Sequence, residues 1–274
     1  MANGDGGATR ARTDMPASIA RAIEGYAWSR DAVGKSEGTV FRLRSASGLP
    51  DLFLKHGSGH AALDVADEAV RLGWLAGKLA APKVHAVAGG PDAFWLLTAA
   101  LPGRTAARAL SEARDDAEAD ALLEAIAAFV RRLHALPVAT CPFDAGQARR
   151  LADARERMAQ GRVDADDFDP VRVGWKPEQV WLQLQALRPD TIEPVVAHGD
   201  LTLDNLLVHQ GAVSGCIDVG RLGVADRYQD LALLWRSLGD APRLQRRLFD
   251  ALGIAQVDFD PRRLQFHLVL DEFF

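Results

Sequence analysis

Residues 195–222 read VVAHGDLTLDNLLVHQGAVSGCIDVGRL. Two apolar runs stand in this stretch, Val195-Val196-Ala197 and Val213 to Ile217. Each leads to a carboxylate, Asp200 after His198-Gly199 and Asp218 before Gly220. A charge at the end of a core strand is costly to bury unless it is paired or binds something. Asn205 follows Asp200 by five positions, and Asp218 follows Asn205 by thirteen. Any one of the three is commonly a capping or turn residue. Together they offer an amide and two carboxylates, and oxygen donors are what Mg²⁺ prefers when it keeps waters and shares a substrate's phosphates.

Upstream of this stretch the chain reads as strands. From Ile19 to Trp28 a short amphipathic segment precedes Gly34-Lys35-Ser36-Glu37-Gly38-Thr39. Val40 to Arg44 then alternates like a half-buried strand, Ser47-Gly48-Leu49-Pro50 has turn chemistry, and Asp51 to Lys55 predicts the second arm of a hairpin. A helix is expected from Ala61 to Leu79, stopped by Pro82, followed by strands over Lys83 to Ala88 and Phe94 to Thr98. Leu101-Pro102-Gly103 reads as a connector, after which charged helical patterns take over. Leu122, Ile126, Phe129 and Leu133 mark a long core helix ending near His134, and Pro177 is placed to start another that runs to Leu187. Tyr228 to Leu238 and Arg243 to Leu252 also read as helices. The organisation predicted is α+β: a leader over 1–18, a small antiparallel-sheet lobe over 19–100 and a larger, mainly helical lobe over 101–274.

Composition bounds the partners. The 274 residues are 48% hydrophobic, enough for a real core. A net charge of −5 disfavours nucleic acid and anionic membrane and leaves room for a cationic partner. Cys141 and Cys216 are the only cysteines, without metal-ligand spacing, which fits a reducing cytoplasm. Residues 1–16 lack the apolar core of a signal peptide, and no run of about 18 apolar residues is present to span a membrane.

Several lesser motifs fail on their context. Gly34-Lys35-Ser36 resembles the tail of a Walker A loop, but Ser29 stands where that pattern requires glycine. Gly57-Ser58-Gly59-His60-Ala61-Ala62 fits a loose dinucleotide fingerprint, yet no acidic residue about twenty positions on is placed to hold a ribose. His56 and His60 lack a third metal ligand. Lys55 at a strand end, with Glu68 thirteen residues later on the next helix, is the more telling pair: a carboxylate there steadies an ammonium meant for phosphates.

The spacing of Asp200, Asn205 and Asp218 reproduces that of the protein-kinase catalytic loop and its Asp-x-Gly partner, so the stretch reads as a phosphoryl-transfer centre. HGDxxxxN at 198–205, IDVGRLGVADRYQDLAL at 217–233 and LDEFF at 270–274 resemble the aminoglycoside 3'-phosphotransferases, whose fold is related to protein kinases; DEAVRLGWLAG at 67–77 and TCPFD at 140–144 agree. The resemblance runs from about Ala20 to the last residue. It implies a two-lobed protein-kinase-like fold that uses ATP and Mg²⁺. Lys55 would bind the α- and β-phosphates, Glu68 would orient it, Ser36 would donate to a phosphate, and Ala99 and Leu101 would present backbone groups to adenine. Asp200 would act on the acceptor hydroxyl, with Asn205 and Asp218 holding Mg²⁺ and His198 structural. Arg221 and Arg236 would be structural or substrate-side. The acceptor would be a small polycationic aminoglycoside, held by Asp167, Asp169, Asp271, Glu272 and the terminal carboxylate of Phe274. Pro170 and Ser237 stand where neomycin-kinase relatives tend to carry further acids, which bears on substrate range. The enzyme is expected to be cytoplasmic and a monomer or weak dimer. A kinase of the same fold acting on a metabolic sugar or amino alcohol is the alternative, and a non-catalytic protein on a kinase scaffold a third.

Overall fold

The computed structural model describes residues 15–30, 38–90, 92–254 and 258–274. Contacts divide the chain into two compact units, one running through Pro102 and including Ser214–Gly220, the other comprising Gly103–Val213 and Arg221–Phe274.

In the first unit, α1 (Ala17–Ala22) precedes strands β1 (Tyr26–Arg30), β2 (Thr39–Ser45) and β3 (Leu52–Ser58), helix α2 (His60–Leu75), and strands β4 (Val84–Gly89) and β5 (Ala93–Ala99). The strands form an antiparallel sheet in the order β1-β2-β3-β5-β4. Period-two alternation sets its faces: Phe41 and Leu43 from β2, Leu52 and Leu54 from β3, and Trp95 and Leu97 from β5 share one core with Ile19 and Ile23. The segment from Ile19 to Trp28 is not one helix. It turns at Gly25, with φ +81°, and Trp28 lies in β1, edge-on to Phe41 with ring centroids 5.2 Å apart. Helix α2 stops at Leu75, well short of Pro82, because Ala76 leaves helical geometry and Gly77 takes φ +76°.

The second unit holds β6 (Arg104–Thr105), α3 (Ala106–Ser111), α4 (Asp116–His134), α5 (Gln147–Ala159), α6 (Pro177–Leu187), β7 (Pro194–Ala197), β8 (Leu206–His209), β10 (Gly223–Asp226), α7 (Tyr228–Ser237), α8 (Pro242–Ala251) and α9 (Pro261–Asp271). The intervening β9 (Ala212–Cys216) carries the chain into Ser214–Gly220 of the first unit. Asp115 caps α4 by accepting from Glu118 N, and the expected stripe of Leu122, Ile126, Phe129 and Leu133 is buried. Pro177 opens α6. LVLD at 268–271 is the last turn of α9, which Asp260 caps through the amides of Arg262 and Arg263. Phe266, Val269, Leu270 and Phe273 pack there with Leu151, Val180, Leu184 and Phe168, so the acidic segment 164–169 is anchored through Phe168, with Ala165 packed against the same core. Among the described residues, no helix is long and apolar enough to cross a membrane.

Candidate active site

In the first unit β3 and α2 aim two side chains at each other. Lys55 pairs with Val40 and Leu96 in the sheet register and sends its ammonium toward α2, where Nζ donates to both Glu68 oxygens at 2.8 and 2.7 Å. The two elements pass closely enough that a Cβ on Gly57 would lie 2.1 Å from the Ala61 carbonyl oxygen, so only glycine fits at that crossing. Lys55 Nζ also contacts Asp218. Asp218 arrives because the segment Ser214–Gly220 is fixed to the same unit: Ser214 Oγ donates to Pro102 O at 2.7 Å, and Cys216 N to Ala80 O at 3.1 Å. Burial works to lower the Lys55 pKa, but the Glu68 and Asp218 carboxylates overcome it and hold the ammonium above the ordinary lysine value. Asp218 itself sits at φ +58°, a left-handed conformation uncommon outside glycine. Ala99 closes β5 with its N–H given to Lys83 O at 2.9 Å, so any contact it makes with a base runs through its carbonyl; Leu101 follows two residues on. Ser36 lies outside the described residues.

In the second unit the turn after β7 is built around a residue absent from the motif spacing. Asp230, in the first turn of α7 and wholly buried, accepts from His198 N at 2.9 Å and Gly199 N at 3.0 Å, and pairs with His134 Nε2 at 2.9 Å. Burial opposes its charge, but the bonds from His134 and His198 keep its pKa below the usual aspartate value. Gln229 Nε2 donates to Gly199 O at 3.2 Å. Gly199 has φ +85°, and a Cβ there would lie 2.3 Å from Arg221 O. So held, the turn presents Asp200, whose backbone O accepts from Asn205 Nδ2 at 2.8 Å and whose Oδ2 lies 3.4 Å from the same nitrogen. The amide nitrogen of Asn205 is thus turned to Asp200. Its amide oxygen and, in the first unit, the Asp218 carboxylate are each a hard donor of the kind Mg²⁺ accepts. Ser237 ties the turn to α7, accepting from Leu203 N at 3.4 Å while donating to Leu233 O at 2.7 Å.

Charged side chains extend this site toward the end of the chain. Arg236 Nη2 lies 2.5 Å from Asp271 Oδ2, and Arg221 Nη1 3.7 Å from Oδ1. Arg221 also donates to Phe274 O at 3.5 Å, and the Phe274 ring lies under the guanidiniums of Arg150 at 3.9 Å and Arg221 at 5.3 Å. Burial and the neighbouring Arg221 charge push the Arg150 pKa down to about 10. Glu272 faces Asp169 and the buried Arg172, whereas Asp167 stands exposed on the short 3₁₀ turn Ala165–Asp167.

The anticipated residues thus fall into groups: Lys55, Glu68 and Asp218; Asp200 and Asn205; Arg221, Arg236, Asp271 and Phe274; Asp169 and Glu272. The structure adds Asp230, His134, Arg150 and Arg172. Asp230 left one trace in the sequence, an acid in the first turn of an otherwise apolar helix; the others left none.

The sequence model of the phosphotransferase enzyme family matches residues 28–267. An aminoglycoside 3'-phosphotransferase of Escherichia coli is 51% identical over 253 residues, covering 92% of each chain. Among solved structures, an aminoglycoside 3'-phosphotransferase of type VIII superposes with a TM-score of 0.83 at 35% identity, over 94% of this chain and 97% of that one. An aminoglycoside phosphotransferase of Streptomyces rimosus, solved with ADP and streptomycin, gives 0.77 at 28% identity over 93% and 95%.

Proposed function

The chain belongs to the phosphotransferase enzyme family, with the protein-kinase-like fold of the aminoglycoside kinases, and we propose that it transfers the γ-phosphoryl group of ATP to the 3'-hydroxyl of aminoglycosides such as kanamycin and neomycin. In a cell this would confer resistance to those antibiotics. One observation carries the reading: the Asp200–Asn205 turn, fixed from beneath by Asp230, in a chain half identical to an enzyme named for that reaction.

Residues 19–100 form the nucleotide lobe and 101–274 the acceptor lobe in this reading. Lys55, oriented by Glu68, neutralises the α- and β-phosphates, with Ser36 donating to a phosphate and Ala99 and Leu101 meeting the base. Asn205 and Asp218 hold Mg²⁺, which when bound supplies charge neutralisation on the phosphates. Asp200 orients the acceptor hydroxyl and takes its proton late, since phosphoryl transfer through a loose transition state asks for positioning more than for a strong base. Asp167, Asp169 and Asp271 offer carboxylates to substrate ammoniums, and Arg221 and Arg236 orient Asp271 until an ammonium shares it. ATP supply sets the workplace in the cytoplasm, as a monomer or weak dimer.

The test is ADP release with kanamycin and with tobramycin, which lacks the 3'-hydroxyl. Turnover of kanamycin alone is expected. Equal release with both refutes the 3' position, and faster turnover of neutral sugars than of kanamycin establishes instead a metabolic sugar kinase on the same fold.

A further inference from the structure

Arg150, on α5 (Gln147–Ala159), is a buried cation without a carboxylate. It is 6% exposed, its Nε has no hydrogen-bond partner, and no acid lies within ion-pair distance of it among the described residues. The other two arginines buried among those residues look different: Arg172 meets Glu272 at 2.7 Å and Arg263 meets Asp226 at 2.5 Å. The Arg150 guanidinium lies instead 3.9 Å from the centroid of the Phe274 ring, which also takes the Arg221 guanidinium at 5.3 Å. Burial weighs most on the Arg150 charge and Arg221 adds repulsion, while Asp271, Asp200 and Asp153 answer from farther off. A guanidinium does not shed its proton to escape such a place, so the folded chain carries the cost permanently. Stacking on one ring recovers part of it.

A second donor near Arg150 is also unclaimed. Gln147, three residues earlier and so on the same helix face, has its Nε2 buried without a partner. Helix α5 begins at Gly146 with no side-chain cap, and the Asp144 carboxylate accepts from Gly146 N at 2.8 Å, ahead of the first turn. Long helical side chains lean toward the helix N-terminus, so the Arg150 guanidinium, the Gln147 amide and the positive end of the helix dipole converge. That combination suits an anion, and phosphate above others, because a guanidinium fork matches two of its oxygens. Arg221, over the same ring, supplies a second fork.

An anion beside the place of a polycation needs a source, and the proposed reaction supplies one. An aminoglycoside arrives without negative charge and leaves with a phosphate on the hydroxyl that Asp200 addresses, and the Asp200 charge reaches Arg150. We propose that Arg150, with Gln147 and Arg221, forms a phosphate subsite for the phosphorylated product, binding the group that the acceptor gains on transfer and offering nothing to the acceptor before it. This rests on the aminoglycoside-kinase reading.

The test is isothermal titration of nucleotide-free protein with kanamycin, kanamycin 3'-phosphate and inorganic phosphate. Wild type, Arg150→Met and Arg150→Lys are compared, with thermal midpoints measured alongside. In Arg150→Met the affinity for kanamycin 3'-phosphate falls about tenfold or more, and that for kanamycin holds or rises, because a like charge has gone. Arg150→Lys, which keeps the charge and loses the fork, recovers part of the loss. The Arg150→Met midpoint holds or rises, since the change strands no carboxylate. Equal losses for kanamycin and its phosphate, with a lowered midpoint, overturn the subsite and make Arg150 a structural residue. Unchanged affinity for kanamycin 3'-phosphate overturns the product role, and inorganic phosphate that still binds through Arg150 then makes the site one for free phosphate. Wild-type protein that phosphorylates no aminoglycoside refutes the functional reading, and inorganic phosphate then decides the anion subsite alone: binding lost in Arg150→Met upholds it, and binding that is absent or unchanged removes it.

Discussion

Asp200, the carboxylate proposed to act on the acceptor hydroxyl, is given little freedom. Its backbone is pinned by Asn205 Nδ2, the preceding Gly199 can be no other residue, and the two amides before it end on one buried acid. The side chain therefore has a fixed place at which to meet a hydroxyl. Asp200→Asn keeps that geometry and loses the proton acceptor, so kcat for kanamycin falls by about 10² or more while nucleotide affinity stays roughly intact. Steady-state kinetics and nucleotide titration check both halves, and near-normal turnover removes Asp200 from its role. Lys55 poses the opposite problem, a flexible stem that needs guiding. Glu68→Gln keeps one hydrogen bond and removes the charge that opposes desolvation, leaving Asp218 as the lysine's ionic partner. The expected result is a rise in ATP KM of about tenfold with the aminoglycoside KM unchanged; an unchanged ATP KM shows that Asp218 suffices to orient Lys55. The carboxylates at 200 and 218, the amide at 205 and the Lys55 and Glu68 pair were legible because each sits at the end of a pattern. Arg172 was not: a loop arginine carries no local mark of burial, and its pairing with Glu272, 100 residues away and read from the sequence as a substrate-side acid, exists only once α9 is folded against α6.

Elements were legible where the chain's own periodicity decides them, as in β2, β3, α4 and α6. They were misread where a single glycine decides, as at the Gly25 turn and the Gly77 end of α2, and the residues of α9 were assigned to no element. Helix α9 also carries a charge arrangement no pattern reveals. Arg263 is bidentate on the buried Asp226, with Nη2 to Oδ1 at 2.5 Å and Nε to Oδ2 at 3.2 Å, and stacks on Tyr228 at 4.3 Å. One turn on, His267 is buried, and among the described residues its ring nitrogens have no hydrogen-bond partner, Asp226 Oδ2 lying 3.6 Å from Nε2. Burial pushes its pKa below the ordinary 6.5, with the Arg150 and Arg263 charges adding to the effect and Asp226 opposing it. The folded chain thus binds fewer protons at His267 than the unfolded chain does, so stability is intact above pH 6.5 and is lost as pH falls through and below that value, at up to about 1.4 kcal/mol per pH unit. Asp226 and Asp230, both held below the aspartate value of 3.8, give up their contribution only at that lower pH, in a separate window. Thermal midpoints between pH 7.5 and about 5 are predicted to slope downward in the wild type and to flatten in His267→Leu. A slope unchanged by the substitution assigns it to another group.

For the whole molecule, the sign and place of charge decide how a polycation is met. The net charge is −5, yet the acids nearest the end of the chain are largely spoken for: Asp271 by Arg236 and Arg221, Glu272 by Arg172. Asp164, Asp166 and Asp167 by contrast stand exposed to solvent, where they act on an aminoglycoside from a distance. Attraction through exposed carboxylates acts across water, so salt screens it over a Debye length of about 8 Å at physiological ionic strength. Attraction through buried acids would be far less sensitive. Raising NaCl from about 50 to 500 mM is therefore predicted to lower kcat/KM for kanamycin by roughly tenfold, through KM, while kcat holds. Asp166→Asn/Asp167→Asn should lower the starting value and reduce the salt dependence together, because the same charges supply both. Kinetics that ignore salt would mean that the substrate is gripped by Asp271 alone, after displacing its arginines, and the acidic segment would then be a wall of the site and not its attractor.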